Sequence, residues 1–271
     1  LDEHVCGNKW RKLKYNILNC QKEGIGRIMT IGGAFSNHLS ATAAACHAMG
    51  IGSIGLVQSH SLDPDNPTLS FCRSKGMKLI NVGRKWRKQD SLNLVRDLGA
   101  YWIPEGGSNE YGFRGVGESI SSAMEDIGFD TLVVSVGSGG TLIGALEVLP
   151  DECDVIAVSS FSESSIRNKI EELGISTDLD RIVFKDQSHL GRFGRYNEDV
   201  IRFADDFYRK YGIPLDPVYT TKTMMAVDDM INRGDISNQS KVLFLHTGGL
   251  QGWKGFAYLH SQKRMPGFIS N

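Results

Sequence analysis

"DTLVVSVGSGG" (130–140) runs directly into "TLIGALEVL" (141–149), and this junction sets the class of the fold. Residues 131–136 lack polar alternation, as expected of a strand covered on both faces. Three glycines in four positions follow, and the pattern then turns helical. The same order recurs outward in both directions. "RIMTIGG" (27–33) precedes "SNHLSATAAACHAMG" (36–50), and "GSIGLVQ" (52–58) precedes "TLSFCRSKG" (68–76). "MKLINVG" (77–83) precedes "QDSLNLVRDLGA" (89–100), "DVIAVSS" (154–160) precedes "SESSIRNKIEELG" (162–174), and "KVLFLHTGG" (241–249) closes the series. Strand–helix alternation of this kind implies βαβ units and parallel sheets, so the class is α/β. The glycine-rich segment "YWIPEGGSNEYGFRGVGE" (101–118) breaks the rhythm and reads as a linker between two lobes or a loop lining a cleft.

The chain has 271 residues, enough for one large domain or two smaller ones. Hydrophobic residues make up 41% and charged residues 23%, the balance of an ordinary globular protein. A net charge of −1 offers no general attraction to nucleic acid or anionic lipid, so neither is an expected partner. No apolar run approaches the roughly 20 residues of a membrane span, and residues 1–20 do not read as a secretory leader. The chain starts at Leu1, which leaves room for an upstream segment. Cys6, Cys20, Cys46, Cys72 and Cys153 are odd in number and lack C-x-x-C spacing. That argues against a disulfide framework or zinc ribbon and suits a cytoplasmic protein. The seven histidines include no H-E-x-x-H, and no metal site is expected.

Ligands of open α/β sheets bind beyond the carboxyl ends of the strands, so the strand exits carry the functional interest. Gly137, Ser138, Gly139, Gly140 and Thr141 could converge backbone N–H groups on a phosphate at a helix start, or form a tight turn with no ligand. No Lys-Ser or Lys-Thr follows, which excludes a Walker A loop. In "GGAFSNH" (32–38), Ser36 or Asn37 could cap the alanine-rich helix, or Ser36, Asn37 and His38 could face a cleft. His38 alone would more often be a structural histidine. "LFLHTGG" (243–249) leaves another strand with His246, Thr247 and two glycines. In "PLDPVYTTKTM" (214–224), two prolines stiffen the approach to a helix whose first turn holds Tyr219 and Thr220; Lys222 is expected at the surface.

"CGNKWRKLKY" (6–15) concentrates basic side chains, most of which belong to a solvated face. Lys9 is the exception to consider, because it follows Gly-Asn at a helix start. A lysine with a pKa of about 10.4 is a poor nucleophile near neutrality, but desolvation and nearby cations such as Arg11 and Lys12 would lower that value.

Taken together, "GNKWRKL" (7–13), "GGAFSNH" (32–38), "VGSGGT" (136–141), "LDPVYT" (215–220) and "LHTGG" (245–249) stand in an order that resembles a known family. It is the tryptophan-synthase-β-like, or fold type II, pyridoxal-phosphate enzymes, in the branch of D-cysteine desulfhydrase and 1-aminocyclopropane-1-carboxylate (ACC) deaminase. The resemblance covers essentially the whole chain. It implies two α/β domains with parallel-rich sheets flanked by helices, the large one from residues 1–13 plus 113–271, the small one from 14–112, with pyridoxal 5'-phosphate between them. It implies that Lys9 forms the imine with the cofactor and that Gly137, Ser138, Gly139, Gly140 and Thr141 hold the phosphate. Asn37 is placed beside the cofactor's 3' oxygen, Ser36 and His38 toward the substrate carboxylate or reacting carbon, and Tyr219 over the cofactor on the substrate side. Thr220 or Thr247 falls near the pyridine nitrogen. Relatives are commonly homodimers, and a small amino acid is the implied substrate.

Two positions depart from the deaminase pattern: His38 stands in place of glutamine and Thr220 in place of glutamate. A carboxylate keeps the ring nitrogen protonated, whereas a hydroxyl leaves it largely neutral. The weaker electron sink suits β-elimination of a good leaving group such as thiolate better than cyclopropane opening. The expected activity is therefore desulfhydrase-like, with ACC deamination and cofactor binding without turnover as the alternatives. Relatives also carry some tens of residues before the lysine motif, where this chain has eight. "QSHLGRFGRYNED" (187–199) takes the place of a cleft loop in the family.

Overall fold

The computed structural model describes residues 5, 7–83, 85–159, 162–172, 182–186, 198–260 and 265–269. They form two compact units, Leu1–Gly115 and Val116–Asn271.

In the first unit, β1 (Arg27–Gly33), β2 (Gly52–Gln58), β3 (Lys78–Asn81) and β4 (Tyr101–Ile103) make a sheet in the order β3-β2-β1-β4. Every pairing is parallel, with Thr30 opposite both Gly55 and Ile103. The central strand is buried from Ile28 to Gly32 because both its faces are covered. Ile28 packs with Leu13 and Ile17 of α1 (Asn8–Lys22) and with Ala41, Ala44 and Ala45 of α2 (Asn37–Ala48). Met29 and Ile31, on the opposite face by strand alternation, pack with Leu94, Val95 and Leu98 of α4 (Lys88–Leu98). Helix α3 (Pro67–Ser74) adds Leu69 and Cys72 against Leu39 and Ala43 of α2. Small alanines around α2 let it sit buried among its neighbours.

The second unit repeats this topology. β5 (Thr131–Val136), β6 (Asp154–Ser159), β7 (Ile182–Asp186) and β8 (Val242–Phe244) form an all-parallel sheet in the order β7-β6-β5-β8. β5 is buried at all six positions. Val133, Ile156 and Val158 pack with Ala226, Val227 and Met230 of α9 (Thr220–Arg233). Trp253 and Phe256 of α10 (Gly252–Leu259) close a second cluster with Ile201 and Ala204 of α8 (Glu198–Tyr211). Helices α6 (Gly140–Leu146) and α7 (Glu163–Glu172) also belong to this unit.

One segment folds otherwise than its composition suggests. Residues 101–118, read as linker or loop, contain β4, a 3-10 turn over Glu105–Gly107, and the start of α5 (Glu110–Ile127). The glycines are there for close packing. A Cβ on Gly115 would lie 1.9 Å from the Arg11 carbonyl oxygen, and one on Gly112 would lie 2.0 Å from that of Gly107. The boundary between the two units falls inside α5. Among the described residues, no helix is long and apolar enough to cross a membrane.

Candidate active site

Among the described residues, each sheet has one topological switch point, where the strand order reverses: between β1 and β4, and between β5 and β8. Such points gather the loops that leave adjacent strands, and ligands of doubly wound sheets bind there. The residues singled out above from the strand exits lie at these two points.

In the first unit, Lys9 stands in the first turn of α1, after Gly7 at φ 64°, a backbone conformation that suits glycine. Lys9 is half-buried, and its Nζ donates to Asn8 Oδ1 at 3.1 Å. Lys12, one turn further, is 1% exposed. The loop leaving β1 brings Ser36 to the N-terminus of α2, where its Oγ accepts from His38 N and Leu39 N. A Cβ on Gly32 would lie 2.6 Å from that Oγ, so the glycine makes room for the cap. Asn37 is half-buried beside it. His38 is 3% exposed, and its ring lies against Thr30 rather than toward solvent. Burial above all, with Lys9 and Lys12 as neighbouring cations, pushes its pKa down to about 3. Asn16 and Asn109 exchange amide hydrogen bonds of 2.8 and 3.1 Å, which fastens the loop leaving β4 to α1.

In the second unit, Gly137 and Ser138 are half-buried, and Gly139 caps α6 at φ 80°. Gly140 and Thr141 are buried in its first turn, where backbone N–H groups lack intrahelical acceptors. The Tyr219 ring rests on this loop: a Cβ at Gly137 would lie 2.9 Å from Tyr219 Cε1 and 3.0 Å from its Oη. Asp216, fully buried, places the tyrosine. Its carboxylate accepts from Val218 N, Tyr219 N, Thr220 N and Thr220 Oγ1 at 2.7–2.9 Å. Burial raises its pKa, opposed by the bonds from Thr220, Tyr219 and Val218. Thr223 ties the same turn to the sheet, donating to Tyr219 O and meeting Ser135 Oγ at 2.7 Å. His246 braces the exit of β8: Nε2 donates to Pro214 O at 2.8 Å while Nδ1 accepts from Gly248 N. Thr247 follows it, 9% exposed.

Two placements differ from, or go beyond, what the residues suggested. Thr220 is fully buried, and its hydroxyl is already engaged with Asp216 N and Oδ2. Lys222, expected at the surface, is 2% exposed; burial lowers its pKa to about 8. The reason is the packing of α9 onto β5 and β6, which encloses its first turn. Of the stretch 187–199, residues 187–197 lie outside the described residues. Sequence reasoning passed over Asp216, although Asp-Pro is a recognisable turn-initiating pair whose carboxylate accepts from the backbone two residues on. It also passed over Thr30, for which no local signal exists.

Taken separately, the glycine-lined helix start of the second unit suits an anionic phosphate, and the half-buried Lys9 of the first unit has the chemistry to bond an aldehyde. Comparisons with known proteins agree. The family described as "Pyridoxal-phosphate dependent enzyme" matches residues 3–248. A candidate ACC deaminase of Pyrococcus horikoshii is 30% identical over 92% of this chain and 81% of its own. A D-cysteine desulfhydrase of Yersinia pestis is 28% identical over 90% of this chain and 82% of its own. The crystal structure of an ACC deaminase homologue superimposes with a TM-score of 0.75 at 27% identity, covering 93% of this chain and 84% of that one. Two parallel sheets, the strand-exit motifs and these matches lead to one assignment: the chain belongs to the pyridoxal-phosphate-dependent enzymes of fold type II, in the group of ACC deaminases and D-cysteine desulfhydrases.

Proposed function

We propose that this enzyme is D-cysteine desulfhydrase-like: it removes the β-substituent of a small amino acid and, with one water consumed, yields pyruvate, ammonia and sulfide. The observation that carries the reading is Thr220. Where the deaminase pattern has glutamate, this chain has a buried threonine whose hydroxyl is held by Asp216, and the Asp216 carboxylate is itself taken up by four donors. No carboxylate is thus offered from this turn to keep a pyridine nitrogen protonated, which favours substrates that carry their own leaving group.

Pyridoxal phosphate supplies the electron sink when bound. Within that reading, Lys9 would hold the cofactor through its amine and, once free, would take the substrate α-proton. Gly137, Ser138, Gly139, Gly140 and Thr141 hold the phosphate through N–H groups and a hydroxyl. Asn37 donates to the 3' oxygen. Ser36, whose lone pairs cap α2, keeps its hydroxyl hydrogen for the substrate carboxylate. Tyr219 orients the substrate and moves a proton. Thr247, rather than Thr220, takes the place near the pyridine nitrogen, because the Thr220 hydroxyl is held by Asp216. The reading divides the chain by function into 1–13 plus 113–271 and 14–112, whereas the packing units meet at Gly115.

ACC deamination to 2-oxobutyrate and ammonia is the second reading, favoured by the 30% identity to the Pyrococcus horikoshii protein. The test is product analysis on holoenzyme given D-cysteine, L-cysteine, D-serine or ACC, with borohydride reduction and peptide mapping of a separate sample. Pyruvate and sulfide from D-cysteine, with the reduced cofactor on Lys9, is the expected result. 2-Oxobutyrate from ACC with D-cysteine untouched would establish the second reading, and a label on any other lysine would overturn both.

A further inference from the structure

His38 has a proton arrangement that its neighbours dictate. Its Nε2 lies 2.8 Å from Thr30 Oγ1, and that same oxygen lies 2.8 Å from Ile103 O. A carbonyl oxygen only accepts, so the single hydroxyl hydrogen of Thr30 goes to Ile103. Thr30 then presents a lone pair to the ring, and Nε2 must carry a hydrogen to bond it. Nδ1 is left with a lone pair.

Among the described residues that nitrogen is buried with no hydrogen-bond partner, and so is Thr42 Oγ1. The two residues are four apart on α2 and share a face. Helical side chains lean toward the N-terminus, which carries the Thr42 hydroxyl toward the His38 turn. Buried polar atoms left without a partner commonly mark a bound water, and one water can donate to Nδ1 while bonding Oγ1. The groups packed about the ring oppose a second proton: Lys9 and Lys12 from α1 are cations, and Gly107 closes over Cε1, where an added Cβ would lie 3.5 Å away.

We propose that Thr30 is a positioning residue that fixes His38 as the neutral Nε2–H tautomer, with a buried water shared between Nδ1 and Thr42. A neutral ring with a bare acceptor nitrogen cannot bind a carboxylate. For the reaction proposed above, on which this one consequence rests, carboxylate recognition falls to Ser36, and His38 ties the start of α2 to β1.

The test is long-range 15N–1H correlation NMR of the full chain with labelled histidine and no cofactor, so that its outcome is independent of Lys9 chemistry. A single Nε2–H tautomer that does not titrate between about pH 5 and 8 is expected for His38. Thr30→Val should shift the population toward Nδ1–H, Thr30→Ser should restore the native pattern, and Thr42→Val should move the Nδ1 signal with the tautomer kept. A titrating ring, a native Nδ1–H form, or a Thr30→Ser protein without the native pattern would overturn the proposal. If Thr30→Val does not fold, the native spectrum and Thr30→Ser decide. A crystal structure with a lysine Nζ at Nδ1 in place of water would also overturn it.

Discussion

The phenol of Tyr219 lies directly against the backbone of Gly137, close enough that one added methyl at 137 would fall 2.9 Å from Cε1 and 3.0 Å from Oη. The glycine is needed for what stands above it. Gly137→Ala should therefore displace the ring or the loop, at a cost of about 1–3 kcal/mol typical of overpacking. Cofactor affinity should fall with it. A double-mutant cycle with Tyr219→Ala isolates the cause, because removing the ring relieves the clash. A coupling energy of about 0.5–3 kcal/mol is expected from denaturant melts. Additive effects would show that the loop suffers for another reason.

Asp216 acts as a cap for the turn that carries Tyr219. Three backbone N–H groups and one hydroxyl end on its carboxylate. Asp216→Ala strips all four of their acceptor and should cost about 2 kcal/mol, the upper end for loss of a cap. Asp216→Asn replaces one acceptor oxygen with an NH2 group. That group would face the Thr220 donors if it took the Oδ2 position, so this variant should not rescue. Thermal melts of both variants, paired with the pH profile of turnover, separate loss of fold from loss of tyrosine placement. A melting temperature unchanged in Asp216→Ala would contradict the capping role.

His38 gives a pH dependence whose sign is fixed. Its pKa is pushed down to about 3 in the folded chain, against 6.5 for an unburdened histidine. Between those values the unfolded chain binds the proton and the native chain does not, so stability rises with pH across this window and is lost as the pH falls. The slope is about 1.4 kcal/mol per pH unit for one proton. His38→Gln, which cannot titrate, should flatten the curve by that amount below about pH 6.5. Urea melts at a series of pH values read this directly, and parallel curves for the two proteins would refute it.

How much of this was legible depended on whether the cause was local. The run 52–58 reads as a strand and forms β2 over Gly52–Gln58, because a strand covered on both faces lacks polar alternation. The three strand exits were located for the same reason, as each combines glycine with a hydroxyl residue. Helix α5 was not read, because Gly112, Gly115 and Gly117 look like loop residues until the backbones they pack against are known. Lys222 looked like a surface lysine because charge usually marks exposure, and only the packing of α9 on the sheet buries it. Thr30 carries no signal of its own, since its partners are 8 and 73 residues away.

Gly115 sets two principles against each other. In an exposed helix interior, replacing glycine by alanine stabilises by about 0.8–1.0 kcal/mol. In α5 the added Cβ would lie 1.9 Å from the Arg11 carbonyl oxygen, and that atom belongs to backbone and cannot rotate away. The contact should win. Gly115→Ala is expected to destabilise by about 1–3 kcal/mol, because α1 and α5 must separate by more than a side chain can absorb. Arg11 is two residues from Lys9 on α1, so the displacement reaches the proposed attachment point as well. The readout is borohydride-fixed cofactor on Lys9 at matched cofactor concentration, with Lys9→Ala as the zero. Reduced labelling together with a lower melting temperature is expected. A stabilised Gly115→Ala protein with full labelling would show that helix propensity outweighs the contact and that α1 does not depend on this glycine for its place.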